Sequence, residues 1–516
     1  MTVSAARRSV VAVALGLAAL VLYRTTLLPG VGWWDTAEFQ TVGPLLGTAH
    51  PTGYPSYVLL GWLASIVLGP FGEPALRMNL LSALLVAATV AGTVAVGETL
   101  TGRASLGLVV GAGLAVTPAV WRISTAADPH AFHLALVVGL VLALLRWEAA
   151  HRAGAPSADR ILVGAAVLTG VAAGNHGLTA LLAPWLAAFV LVVEPRLLRR
   201  PGFSLGCLAL AVGVALVLYL ELPLRAGPFR APLVYGHPER LDGLLEIVTG
   251  AQFAAAVRSP FDDPAGTVGR IGAVAADQFG PLAVLLPAAA LATVVRRPTF
   301  AVLSLPAALA TAVFAAGYEN AEIGRYDLGP VFFGWSWLGV LGALAVERLA
   351  ALWADERRRA VADGARGVAR GLAVGIVALA LLGPGVLALP ATRAAVDRSR
   401  DTTAAAWLDA VSAALAPDAV VVSWWSVSTP LWYAQLIEGR RPDVWIVDDR
   451  TRLDLGLGEV TDVIDANLPR RPVYVIRARA DELAALAAAY DLEPVPVPVG
   501  SPLWRVLRPR AVGAAR

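Results

Sequence analysis

Eleven apolar runs, each near the thickness of a bilayer, divide the first 390 residues: 9–28, 76–98, 104–122, 130–147, 160–176, 178–194, 203–222, 280–295, 299–317, 330–348 and 370–390. Crossing a hydrocarbon core takes roughly 20 helical residues. No water is present there to satisfy unpaired backbone groups, so a spanning segment must be a helix or a strand of a closed barrel. The expectation is a membrane all-α bundle of eleven transmembrane helices. Charge agrees: 15% of the 516 residues are charged, against about a quarter in a soluble chain. Segment 56–69 is short and follows a turn, which predicts an interfacial helix. Segments 160–176 and 178–194 read as two spans or as one broken span.

The basic residues give the orientation. All 41 are arginine, a bias that reflects base composition more than function. With the N-terminus in the cytoplasm, the inner loops hold Arg7-Arg8, Arg103, Arg146 with Arg152 and Arg160, Arg196 with Arg199-Arg200, Arg296-Arg297, and Arg348 with Arg357-Arg358-Arg359. The short outer loops hold Arg122 and Arg325. That is the positive-inside pattern. The basic balance is therefore a topology signal and does not imply nucleic-acid binding. The first run has no small-residue cleavage site, so no signal peptide is expected. The lone Cys207 lies in an apolar run and supports neither a disulfide framework nor a cysteine metal site.

This topology gathers Asp35, Glu38, His50, Arg77, Asp128, His130, Asn175, His176, Arg225, the loop 223–279 and Tyr318 through Asp327 on the non-cytoplasmic face. The richest stretch is the first outer loop, 29–75, and within it 33–57, WWDTAEFQTVGPLLGTAHPTGYPSY. Asp35 and Glu38 are three apart and share a face on a helical turn. Two carboxylates so close repel, which predicts a raised pKa for one of them, the condition a base needs to take a hydroxyl proton. Trp33 and Trp34 suit a membrane–water interface. In His50-Pro51-Thr52-Gly53-Tyr54-Pro55 the prolines predict extended backbone at His50 and Tyr54. An ordinary interfacial loop with a helix-start aspartate fits the same spacing equally well.

This stretch, with Arg77-Met78-Asn79-Leu80 after it, resembles the signature of a family of polytopic membrane proteins in the GT-C glycosyltransferase superfamily. That family includes a eukaryotic protein O-mannosyltransferase and bacterial relatives. Its pattern runs Asp-Ser-Gly-Glu, His-Pro-Pro-Gly-Tyr-Pro, then Arg-x-Asn-Leu; here Thr36, Ala37 and Thr52 depart from it and keep the acid spacing. Asn175-His176, Leu222-Pro223-Leu224-Arg225 and the segment from Tyr318 to Pro330 resemble further family elements. The resemblance implies a mannosyltransferase-like enzyme, hexosyl or pentosyl, that takes sugar from a polyprenyl-phosphate-linked donor to a hydroxyl on a protein, lipid or glycan acceptor. It implies Asp35 as general base with Glu38 tuning it. His50, Tyr54, Arg77, Asn79, Asn175, His176, Arg225, Arg325 and Tyr326 are then the donor or substrate contacts. Arginine suits phosphate, yet Arg225 reads equally as a snorkelling helix-end residue, Asn175-His176 as a polar turn, and Glu319 and Glu322 as a solvated hairpin. No metal ligand set is assigned; a divalent ion is allowed by the carboxylates but not required, since arginine also neutralises phosphate.

From about 396 to 516 the pattern changes to alternating strand and helix, with strands at 420–424, 444–447, 472–476 and 503–507. That predicts a small extracytoplasmic α/β domain with a parallel sheet, following a transmembrane domain at 1–395. Asp448-Asp449 after the second strand reads as a helix-start acid in a βα loop. Trp424-Trp425-Ser426 ends the first strand, where open α/β sheets place binding crevices; core packing explains these indoles as well. There is no phosphate loop, HExxH or serine elbow. A transporter or flippase of a lipid-linked substrate is the alternative, but the polar groups lie at one end of the bundle and no internal repeat is visible.

Overall fold

A computed structural model describes residues 5–356, 364–477 and 479–510. Arg357-Arg358-Arg359 of the expected inner loops lie outside the described residues. Seven described helices are long and apolar enough to cross a membrane: Pro74–Thr101, Pro129–Arg152, Pro201–Ala226, Pro264–Arg296, Pro298–Gly317, Ile323–Leu352 and Gly367–Val396. Five of them open on proline, whose fixed φ suits the first helical position and whose missing N–H costs nothing there. Of the other four expected runs, the first is the 20-residue helix Ala5–Arg24, and three correspond to shorter helices, Ala104–Ala115, Ala158–Ala173 and Thr179–Val193.

Local chemistry explains the short ones. The run 104–122 breaks at Thr117-Pro118, where a new helix Pro118–Ile123 starts. Thr117 Oγ1 donates to the Gly113 carbonyl at 2.9 Å and accepts from Trp335 Nε1 at 2.8 Å, so the polar break is satisfied inside the bundle. The stretch 160–194 is two helices parted by Gly174 to Leu178. One packs on Pro129–Arg152 and Pro201–Tyr219, the other on Pro298–Gly317. Close approach rests on small residues: a Cβ on Gly97 would stand 3.0 Å from the Gly107 Cα of the neighbouring helix. Pro201–Tyr219 buries no residue and turns an all-apolar surface outward, as a lipid-facing helix does.

The expected interfacial helix is Pro55–Val67, with Trp62, Leu63, Ile66 and Val67 exposed and Tyr57 and Val58 buried. Tyr54 corrects the expectation of extended backbone, since its φ is +50°. Its carbonyl accepts from Val58 N–H at 3.0 Å, and its ring packs edge-on against Phe39 at 5.1 Å. These contacts hold the left-handed turn into Pro55.

The C-terminal sheet consists of β1 (Val420–Val422), β2 (Trp445–Val447), β3 (Val473–Val475), β4 (Tyr490–Val495) and β5 (Leu503–Pro509) in the order β2-β1-β3-β5-β4. The first three strands are parallel. β5 is antiparallel to both β3 and β4, so the sheet is mixed and not wholly parallel. The cause is the short link between β4 and β5, which allows only a hairpin. Asp448 caps the helix Asp449–Asp454, accepting from Thr451 N–H at 2.7 Å.

This domain sits on the loop 29–75. Val31, Ala37 and Ala75 share one apolar cluster with Trp407, Leu408 and Tyr433. Trp33 Nε1 donates to Thr403 Oγ1 at 3.1 Å, and Ala75 N–H donates to the Tyr433 hydroxyl at 3.1 Å. The loop that carries the acidic motif is thus held between bundle and sheet.

Candidate active site

Asp35 occupies the first turn of the helix Trp34–Leu45. Its carboxylate pairs with Arg325 Nη2, from the short helix Ile323–Asp327. The same guanidinium lies 3.1 Å from Glu322 and 3.6 Å from Asp128 through Nη1. One cation therefore faces three carboxylates, Glu322 from its own turn and Asp35 and Asp128 from distant parts of the chain. Asp128 caps Pro129–Arg152, accepting from His130 N–H at 2.8 Å and contacting His130 Nδ1 at 2.9 Å.

Glu38, one turn after Asp35, faces a different partner. It accepts from His50 N–H at 2.8 Å and pairs with His50 Nδ1. His50 Nε2 stands 3.4 Å from the Tyr54 hydroxyl. One acid is raised, as the spacing predicts, but it is Glu38 and the main cause is burial, not repulsion by its neighbour; Asp35, the expected base, is lowered. Burial raises Asp35, but His50 and Arg325 outweigh it and hold its carboxyl below the ordinary range. Burial raises Glu38, against the pull of His50, and leaves it above that range. Burial lowers His50, but Glu38 and Asp35 outweigh it and raise the imidazole. Asp128, raised by burial and lowered more by His130 and Arg325, falls to about 2. At neutral pH Asp35 is an ionised acceptor beside the Arg325 guanidinium, with the His50 imidazole close by.

Two cavities meet at this cluster. One, of about 580 Å³, is walled by Asp35, His50, Tyr54, His176, Tyr326 and Arg325, with Leu178, Leu181, Phe253 and Phe314 also on its wall. The other, of about 840 Å³, is more polar and is lined by Trp33, Trp34, Asp128, Glu322, Arg122 and Arg398, with Gly500 and Ser501 from the C-terminal domain. Arg325 lines both.

The structure brings Asp35, Glu38, His50, Tyr54, His176, Arg325 and Tyr326 together. The His176 ring packs on Tyr54 at 5.4 Å and on Tyr326 at 5.6 Å. Asn175 stands behind this wall, with Nδ2 donating to the Pro129 carbonyl at 3.2 Å. Three expected contacts are placed elsewhere. Arg77 donates to the carbonyls of Gly72 at 2.6 Å and Ser65 at 2.9 Å, tying down the turn before its own helix. Arg225 caps the C-terminal end of Trp34–Leu45, donating to the carbonyls of Leu46 at 2.6 Å and Leu45 at 3.2 Å. Asn79 joins loops, donating to Leu28 and Gly30 carbonyls and accepting from Gln40 Nε2 and Ala127 N–H. Arg225 and Asn79 position the acidic helix, Arg77 the turn before its own helix, and none of the three lines either cavity. Arg77 and Arg225, expected on the donor phosphate, donate here to backbone carbonyls, because an orphan carbonyl at a helix end or turn attracts a guanidinium as a phosphate does.

Asp128, Glu322, Tyr235 and Trp425 are wall or cluster members that were not assigned to the site from sequence. For Asp128 a signal existed: an acid directly before Pro129 at a helix start. Trp425 carried a general signal, its place at a strand end where open sheets bind ligands, and Tyr235 carried none. As to a metal, no group of three or more histidine, cysteine or acidic side chains suited to an ion stands among the described residues. Asp35, Asp128 and Glu322 converge on Arg325, whose guanidinium takes the central place of a cation.

Comparison with known proteins places this geometry. Across 97% of this chain and 98% of the other, the structure superposes on ArnT from Cupriavidus metallidurans, crystallised with undecaprenyl phosphate, with a TM-score of 0.62 at 15% identity. The chain has the GT-C glycosyltransferase fold. The archaeal oligosaccharyltransferase AglB from Archaeoglobus fulgidus, in complex with an inhibitory peptide and a dolichol-phosphate, gives 0.54 at 15% identity over 91% of this chain and 69% of its own. Residues 35–198 match the Protein O-mannosyl-transferase TMEM260 N-terminal domain. The mouse Protein O-mannosyl-transferase TMEM260 is 30% identical over 250 residues, 47% of this chain. The match spans about a third of that relative's own length, 34%. With its apolar spans and this GT-C fold, the protein is a multi-pass membrane protein.

Proposed function

We propose that this protein is a GT-C-type glycosyltransferase that moves a sugar from a polyprenyl-phosphate-linked donor to a hydroxyl acceptor on the non-cytoplasmic face. The observation that carries it is the ionised Asp35 paired to Arg325 where two cavities meet. The 580 Å³ cavity, aromatic and apolar around His50, suits the donor; the polar one suits an acceptor. The undecaprenyl phosphate of ArnT, the dolichol-phosphate and peptide of AglB and the O-mannosyl activity named for TMEM260 support that choice.

In this reading the acceptor oxygen attacks the anomeric carbon from the face opposite the phosphate. The new C–O bond forms as the bond from that carbon to the phosphate oxygen breaks, with inversion. Asp35 takes the hydroxyl proton, and the electron pair leaves with the polyprenyl phosphate. His50 and Arg325 face the charge that develops there, where fixed positive charge lowers the barrier most. Mass spectrometry of glycoconjugates from cells with and without the gene tests this directly. Loss of one hexose-bearing species is expected, and an unchanged glycan inventory would count against a transferase.

The Glu38–His50 pair gives a pH prediction. Protonated His50 is the form that faces phosphate, so transfer should fall as pH rises through its raised pKa. Glu38 is the largest of the influences raising that pKa. Glu38→Gln should therefore move the alkaline limb of kcat/KM to lower pH, while costing less at the optimum than loss of Asp35. A limb that stays in place would show that His50 is not the titrating group.

We also place the N-terminus in the cytoplasm, and the site and C-terminal domain outside, on the arginine distribution. In a Cys207→Ser background, Pro70→Cys and Glu493→Cys should both react with an impermeant thiol reagent applied to spheroplasts. Arg199→Cys should react only after permeabilisation. Split behaviour of the first two would refute the shared side.

A further inference from the structure

The carboxyl edge of the parallel strands in the C-terminal sheet reaches the donor cavity. After β1 the chain passes through Ser423 and Trp424 into the helix Trp425–Leu436. β1 lies between two parallel neighbours, β2 and β3. The connection from β2 to β3 crosses over it, so the crevice at this edge is where open sheets bind ligands. Trp425 is the side chain this edge contributes to the cavity that Asp35, His50, Tyr54 and Arg325 wall. Its ring meets His50 edge-to-face at 5.3 Å and 77°. Its Nε1 is buried and has no hydrogen-bond partner, unusual for an indole donor, which as a rule finds an acceptor when buried.

The same domain holds a second part of the wall. Arg450 lies over the Tyr235 ring at 4.8 Å, and Gly236 N–H donates to Asp454 at 3.1 Å. An aromatic face with a spare N–H, beside a carboxylate and an imidazole, offers what a pyranose offers in return. The sugar has an apolar C–H face and hydroxyls that accept as well as donate.

We propose that Trp425 contacts the donor sugar, so that the C-terminal domain completes the sugar subsite and is not only an appendage to the bundle. This rests on the transferase reading above. In it the indole face takes the C–H side of the ring, and Nε1–H donates to a hydroxyl.

The test uses the full chain in nanodiscs, with polyprenyl-phosphate mannose as donor and sugar-free polyprenyl phosphate as competitor. Trp425→Ala should raise the donor KM roughly tenfold, the scale of one aromatic contact. Inhibition by the sugar-free lipid should match that of the unaltered protein, because that lipid never reaches Trp425. Trp425→Phe keeps a stacking face and loses the N–H, so its KM should rise by a smaller factor, about two to five; it carries the test if the alanine variant fails to fold. An unchanged KM in both variants, or in the phenylalanine variant where it alone folds, would overturn the assignment. Equal weakening of both lipids would also overturn it, by making Trp425 a prop for His50. Absence of transfer by the unaltered protein would overturn the transferase reading itself, a result distinct from an unchanged KM.

Discussion

Asp35→Asn should reduce sugar transfer by a factor of roughly a hundred to ten thousand, about 3–5 kcal/mol of barrier, while leaving donor binding intact. The substitution keeps the shape, and the asparagine oxygen still accepts from Arg325, but no proton can be taken from the acceptor. The wild-type carboxyl is held below its ordinary range by His50 and Arg325 against the effect of burial, so it is ionised throughout the neutral range. Removing its charge leaves His50 and Arg325 with one fewer partner, and an anionic donor should bind as well or better. Single-turnover transfer and equilibrium binding of a radiolabelled donor, measured on the same preparation, separate the two effects. Wild-type turnover by the variant would remove Asp35 as the base.

Arg325→Gln should have a comparable effect, with a different signature. The guanidinium is only 12% exposed and faces Asp35, Asp128 and Glu322. Removing one side of such a cluster leaves charges unpaired, a change that typically costs about 3–5 kcal/mol of stability for a buried pair. Partial exposure of Asp35 and Asp128 places the expected cost toward the lower end of that range. The sign of the pH effect is fixed by the cluster. Arg325 lowers Asp35 and Asp128 in the folded protein, so without it both should titrate at higher pH. The stability they contribute, present above the unfolded carboxylate pKa and lost as pH falls through the folded one, would then begin to disappear at a higher pH. The acid limb of transfer should move up in the same direction. Thermal unfolding in detergent and a pH–rate profile check both; a variant with unchanged Tm and profile would show that Arg325 is not the centre of the cluster. Arg325→Lys should restore part of the stability but not the rate, since a point charge cannot serve three acceptors in one plane.

The sequence makes the bundle legible because hydrocarbon leaves the backbone so few choices. Pro74–Thr101 and Pro129–Arg152 follow from apolar length alone. The break at Thr117-Pro118 was less visible, since Thr117 is satisfied by Gly113 and Trp335, both inside the bundle. In the C-terminal domain, the valine-rich strands β1 and β3 were plain. β4 was not, because Tyr-Asp-Leu-Glu-Pro-Val carries two acids and a proline that suit an edge more than a core. Around the site, Asp35, Glu38, His50 and Tyr54 were legible because one short loop carries them all. Asp128 before a helix-start proline and Trp425 at a strand end are each marked locally, but they reach the cluster or its cavity from far along the chain, and nothing in the sequence announces that they meet there. Arg77 and Arg225 show the converse difficulty. A guanidinium at a helix end serves backbone carbonyls as readily as phosphate, and only the fold decides which.

The most direct test of the proposed reaction follows the fate of the sugar and of the lipid together. Purified protein is placed in vesicles with doubly labelled polyprenyl-phosphate mannose, one label on the sugar and one on the lipid, and supplied with hydroxyl acceptors. The account predicts that sugar label appears on acceptor as free polyprenyl phosphate accumulates in equal amount, and that Asp35→Asn stops both. Movement of intact donor from one leaflet to the other, with the two labels still joined and no acceptor modified, would contradict it and make the protein a flippase.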